Sequence, residues 1–212
     1  MKLRSVLKAR YLVGLLLLTA LVLGCRAVTA PPQTYCFSFE KDLEGWQPAG
    51  TDLDNPPVRW FIKRSSEQSR DGRYAAKFYL NNLNDMAKIW MQRGFPVKPG
   101  RIYRVKVDYT FASADWGNLN LWQIIAGAAP YPPQASADLV FQEDTGNGSP
   151  RNSGYVWLDK SYQFRTESSP GGELYVYLGV WGTWETPRIY YLDSVKVTIS
   201  EEWKSIFKFL TL

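Results

Sequence analysis

Histidine is absent from all 212 residues, which removes whole classes of chemistry. Ser-His-Asp and Cys-His nucleophilic machinery and every imidazole metal site are excluded. Carboxylate, tyrosine, lysine and arginine chemistry remain, together with hard-cation sites built from oxygen. Cysteine is nearly absent too, with only Cys25 and Cys36. No disulfide framework is possible beyond a single Cys25–Cys36 bridge in an oxidising compartment. Cys36 otherwise reads as a small buried residue rather than a nucleophile. No basic run suggests a groove that tracks phosphates, so nucleic acid is not an expected partner. No apolar run reaches the roughly 20 residues that a membrane-spanning helix needs.

The longest apolar run, Tyr11 to Leu23, follows a start that carries Lys2, Arg4, Lys8 and Arg10 and no acid. A basic segment followed by a short apolar one is the pattern of an export signal. With residues 1–24 set aside, 21 of the 25 basic residues face 20 acidic ones. The basic character of the chain thus belongs largely to its leader and says nothing of an acidic partner. The stretch Val22-Leu23-Gly24-Cys25 resembles the lipobox of bacterial lipoproteins, although Leu23 stands where that family has a small residue. The resemblance implies cleavage before Cys25, lipidation of Cys25 and anchoring of the exported protein to the bacterial cell envelope. Residues 25–34, with Pro31-Pro32, then read as a lipidated cysteine and an extended tether.

From residue 35 to residue 200 the pattern is that of strands. In Arg101–Phe111, Tyr103, Val105, Val107, Tyr109 and Phe111 share one face, and Arg104, Lys106, Asp108 and Thr110 the other. Further strands are predicted at 35–40, 59–63, 75–80, 88–97, 119–127, 139–142, 155–158, 161–166, 174–181 and 189–200. Turn signals such as Asp71-Gly72, Pro99-Gly100 and Pro170-Gly171-Gly172 separate them. Many short strands in one domain predict an all-β fold, a sandwich or barrel. The tail, 201–212, allows one or two amphipathic turns that touch a membrane or partner or pack on the domain itself.

Along the last predicted strand, Tyr191, Asp193, Val195, Val197 and Ile199 share a parity, so Asp193 faces the core side. A carboxylate there needs a cation, an arginine (Arg70, Arg73 or Arg188) or backbone N–H donors. Four stretches, Phe37–Trp46, Ser69–Lys77, Val97–Val105 and Tyr190–Val197, resemble in order and separation the motifs of jelly-roll carbohydrate-binding modules of the galactose-binding-like superfamily. The resemblance implies a single jelly-roll β-sandwich. It also implies a structural Ca²⁺ held by Glu40, Asp193 and carbonyls of the turn at 70–73, a site that an arginine could replace.

The chain is rich in rings, with 9 Trp, 13 Tyr and 10 Phe, all but Tyr11 beyond the leader. Sugars lay C–H faces on such rings while amides and carboxylates fix their hydroxyls. In 174–181 the aliphatic residues Leu174, Val176, Leu178 and Val180 alternate with Tyr175, Tyr177, Gly179 and Trp181, so the aromatic face points outward or lies beneath a loop. Trp116, Trp122, Tyr177, Trp181 and Trp184 are the expected ligand contacts, with Trp90 and Trp157 behind them, while Trp46 and Trp60 read as core or edge packing. The expectation is a tethered, non-catalytic module that binds a polysaccharide or oligosaccharide. An envelope protein partner using the same aromatic surface is the alternative. A glycosidase needs two carboxylates roughly 5–9.5 Å apart. Asp115, Asp138, Glu143, Asp144, Asp159 and Glu185 show no spacing that singles out such a pair. A polysaccharide lyase using tyrosine with arginine or lysine is disfavoured alongside it.

Overall fold

The computed structural model describes residues 30–114, 122–145, 154–182 and 187–202. The leader, Cys25, Trp116, Trp184 and the tail from residue 203 lie outside them. In chain order the strands are β1 (Gln33–Phe37), β2 (Gln47–Thr51), β3 (Arg59–Ser65), β4 (Ala75–Asn81), β5 (Lys88–Pro96), β6 (Ile102–Ser113), β7 (Trp122–Ala129), β8 (Phe141–Thr145), β9 (Val156–Glu167), β10 (Glu173–Gly182) and β11 (Pro187–Glu202). A single 3₁₀ turn, Ser136–Asp138, precedes β8. The strands pair into two antiparallel sheets that make a jelly-roll β-sandwich. The first sheet runs β3-β4-β11-β6-β9, and the second runs β2-β5-β10-β7-β8.

Alternation in β6 is as predicted. Tyr103, Val105, Val107, Tyr109 and Phe111 are buried, whereas Arg104 and Lys106 are exposed. Leu174, Val176, Leu178 and Val180 of β10 meet this set from the other sheet. Each such side chain withdrawn from water contributes about 1.5–3 kcal/mol. Two ring clusters fill the core. Phe37, Trp46 and Phe95 pack edge to face, and Trp122 packs 4.8 Å from Phe111 and 6.4 Å from Tyr190 between ring centroids.

Strand β11 organises the first sheet. Its first half, from Pro187 to Leu192, pairs with β4, and Val195 to Ile199 pair with β1 on the same edge. The register with β6 shifts between Asp193 and Lys196, and Ser194 has φ 53°. This bulge is where one partner strand gives way to the next, and it aims the Asp193 carboxylate at the turn before β4.

Three details differ from the sequence reading. Strand β2 was not expected, because Pro48 and Gly50 obscure it; it pairs with β5 at the end of the second sheet. The stretches 155–158 and 161–166 form one strand, β9, paired with β6 from Ile102 to Ser113. Cys36 is exposed and free, because Phe37 takes the inward parity and Cys36 points away opposite Lys196.

Candidate functional site

The outward face of the second sheet does carry the aromatic set of β10, but the chain folds back over it. Trp90, Ile125, Leu139 and Tyr177 form a buried cluster. Tyr177 is 1% exposed, and its hydroxyl donates to the Asp138 carbonyl of the 3₁₀ turn at 3.1 Å. Burial pushes its pKa up to about 12. Any side chain at Gly127 would overlap the Tyr177 ring. Trp90 donates its indole N–H to Gln92 Oε1 at 2.8 Å. Trp181 is half-buried, with its Nε1 donating to the Asp85 carbonyl at 2.9 Å and Phe141 packed edge-on at 5.6 Å. Trp122 is wholly enclosed in the core, since it shares the inward parity of Ile124 and Ala126 on β7. Of the expected ligand contacts, then, Trp122 and Tyr177 are sealed from solvent and Trp181 is engaged in packing. Trp116 and Trp184 lie outside the described residues.

Glu40 and Asp193 are brought to one turn, as expected, but they meet N–H groups there rather than carbonyls. Asp193 Oδ2 accepts from the backbone N–H of Arg70 at 2.8 Å and of Asp71 at 2.9 Å, and Oδ1 accepts from Ser194 N–H at 2.6 Å. Burial raises the Asp193 pKa, and the three N–H donors oppose that rise. Glu40 Oε1 accepts from Arg73 and Tyr74 N–H, each at 2.9 Å. These bonds, Tyr74 first, lower the Glu40 pKa. Gly72, with φ 64°, leaves the room that the Glu40 carboxylate fills. The carbonyls of Phe39 and Glu40 are both taken by Arg64, which donates from Nε to Phe39 O at 2.9 Å and from Nη2 to Glu40 O at 2.6 Å. Its guanidinium carbon sits 3.1 Å from the centroid of the Tyr74 ring. A Ca²⁺ cage needs six to eight free oxygen ligands. Here the carboxylates of Glu40 and Asp193 face backbone donors and the carbonyls of Phe39 and Glu40 face a guanidinium, so these oxygens are engaged without an ion. The arginine is neither Arg70 nor Arg73 but Arg64, whose place on β3 brings it across from the chain at Phe39.

Among the described residues, an open aromatic surface lies on the first sheet. Phe61 of β3 is registered opposite Tyr79 of β4, and Tyr79 opposite Ile189 of β11. The Phe61 and Tyr79 rings stack at 5.0 Å with 13° between planes. With Trp60, Val58 and Arg59 they line a depression of about 560 Å³ at the sheet's β3 edge. All three rings are half-buried, so each is held by packing and still offers area to a ligand. Trp60 does pack against the core, as expected, and lines the depression as well. Beside it, Tyr191, Ala75 and Ala112 form a small cluster under Tyr155, Trp157 and Ile189. Glu67 fixes this neighbourhood, receiving Lys77 Nζ at 2.7 and 2.5 Å and the Tyr191 hydroxyl at 2.9 Å. These donors, Lys77 first, lower the Glu67 pKa, whereas burial raises that of Tyr191.

Phe61 and Tyr79 were not among the expected contacts. The signal was present in the alternation: Arg59, Phe61 and Lys63 share one parity of β3, opposite to buried Ile62, and Lys77 and Tyr79 share one parity of β4. Rings flanked by cations two residues away are outward-facing rings.

No protein-family model matches the chain, and no curated protein sequence matches it. Solved structures of similar fold include the K3 cleaved adhesin domain of Lys-gingipain from Porphyromonas gingivalis (13% identity, 79% of this chain and 99% of that one, TM-score 0.49). Two others are TmCBM61 in complex with β-1,4-galactotriose (15%, 78% and 94%, 0.43) and the CBM22-1 xylan-binding domain of Paenibacillus barcinonensis Xyn10C (13%, 80% and 95%, 0.39). These likenesses are of overall fold.

Proposed function

We propose that the domain is a non-catalytic carbohydrate-binding module, exported and anchored through a lipid on Cys25, which holds a glycan in the depression formed by Trp60, Phe61 and Tyr79. The observation that carries this reading is one open depression lined by three half-buried aromatic residues, Trp60, Phe61 and Tyr79, together with Arg59. Flat rings fixed by packing offer sugar C–H faces a large contact area at little cost in side-chain entropy. Arg59 adds planar N–H donors suited to hydroxyl or carboxylate oxygens.

Calorimetric titration of the full-length chain in detergent against a panel of linear oligosaccharides tests it. Saturable binding is expected, lost in the Phe61→Ala/Tyr79→Ala double variant while the melting temperature stays within a few degrees. Binding to no member of the panel, or binding indifferent to both rings, overturns the reading. Anchoring is checked separately, since Cys25→Ser should move the protein from the membrane fraction to the soluble one.

A further inference from the structure

We infer that the glycan held in this depression is an anionic oligosaccharide, bearing carboxylate or sulfate groups that Arg59 and Lys63 receive on either side of the stacked rings. The inference rests on the carbohydrate-binding reading and narrows its ligand class.

Arg59, Phe61 and Lys63 alternate along the outward face of β3, so that a cation stands on each side of a ring. Both cations are exposed. Lys63 Nζ lies 4.7 Å from the Phe61 ring centroid, and Arg59 lines the depression itself. At a strand rise of about 3.3 Å per residue the backbone positions of Arg59 and Lys63 stand roughly 13 Å apart along the strand, and the Lys63 ammonium leans back from its own position over Phe61.

The charges around these rings are not balanced. Lys63 is registered directly opposite Lys77, a like-charge pairing that destabilises a bare sheet. Glu67, an acid close by, places both oxygens on Lys77 and one also on the Tyr191 hydroxyl. Glu67 feels the charge of Lys63, yet among the described residues neither Lys63 nor Arg59 makes a salt bridge. The rest of this face is different. Arg104 and Arg165 both bind Glu202, Lys106 binds Asp108, and Lys196 is registered beside Asp108. Among the described residues, the cations of this face without a salt bridge include Arg59 and Lys63, beside the rings. A ligand that carried negative charge along its length would relieve the Lys63–Lys77 repulsion and complete both cations.

The test compares three linear oligosaccharides of similar length, one of uronates, one sulfated and one neutral, by calorimetric titration of the full-length chain in detergent at low and high salt. At low salt an anionic oligosaccharide is expected to bind at least roughly tenfold more tightly than the neutral one, the change that one charged hydrogen bond makes. High salt should erode the difference. The Arg59→Gln/Lys63→Gln variant should remove the difference between anionic and neutral oligosaccharides. The uronate and sulfated arms tell which anionic group is received, and a preference for either supports the inference. Equal binding of neutral and anionic oligosaccharides, still dependent on Phe61 and Tyr79, overturns the inference and leaves the carbohydrate-binding reading standing. Binding of none of the three overturns both.

Discussion

Arg64 is expected to hold the junction that a metal ion would otherwise hold, and replacing it with methionine isolates what its charge contributes. Arg64→Met keeps most of the stem and deletes the fork that donates to Phe39 O and Glu40 O. Phe39 is fully buried with φ 59°, a left-handed conformation that a bulky residue adopts only under external restraint. Two charge-assisted hydrogen bonds at the lower end of their range, about 1.5 kcal/mol each, suit a half-buried guanidinium. The stacking on Tyr74 adds about 0.5–1 kcal/mol. The variant should therefore lose about 3–4 kcal/mol, read as a fall of roughly 10 °C in melting temperature for a domain of this size. Arg64→Lys retains the charge but not the planar fork and should recover less than half of the loss. The wild-type protein should melt at the same temperature in EDTA and in excess CaCl₂. A methionine variant that melts within about 2 °C of wild type, or a clear rise of the wild-type melting temperature with calcium, would refute the reasoning.

Trp122→Ala should cost about 3–5 kcal/mol, because its ring fills the core between Phe111 and Tyr190; urea titration measures it, and a loss under about 1 kcal/mol would mean that the ring is not enclosed. Gly127→Val should expel Tyr177 from beneath the 3₁₀ turn, seen as faster hydrogen exchange at residues 134–140 than in wild type; unchanged exchange there counts against the covering segment. The Glu40 pKa is lowered on folding, so its contribution is present above the unfolded value, about 4.3, and fades as pH falls through the folded one. Melting curves of wild type and Glu40→Gln should therefore converge on acidification below about pH 4, a comparison in which Asp193, whose pKa burial raises, is common to both; a gap that persists at the lowest pH would disprove it.

The fold was legible wherever the two faces of a strand differ in kind, apolar against charged or polar in β6 and aliphatic against aromatic or glycine in β10. Strand β2 escaped notice because Gln47-Pro48-Ala49-Gly50-Thr51 has no alternation to read; it pairs with β5 along only one edge. The convergence of Glu40, Asp193 and the Asp71-Gly72 turn was also legible, since the parity of Asp193 demanded a partner. Backbone N–H donors, which Asp193 does find, were among the partners foreseen for it; the guanidinium on the Phe39 and Glu40 carbonyls was not legible, because Arg64 lies on a different strand and sequence spacing does not relate it to Phe39. The aromatic surface was misplaced for a geometric reason. Parity tells which side of a sheet a ring occupies, and Tyr177 does occupy the outward side, but parity is silent about the segment around Ser136–Asp138, earlier in the chain, that crosses above it. For Phe61 and Tyr79 parity sufficed, yet a single outward ring in each strand draws less notice than the run of rings on β10.

Strand β3 ends the strand order of its sheet, so the depression that it borders has the sheet on one flank only. On the proposed reading, a glycan held in a depression bounded in this way by the described residues need not present a terminus. A long polymer could settle there by any stretch of its length and slide along the rim, which suits capture of intact fibres better than retrieval of fragments.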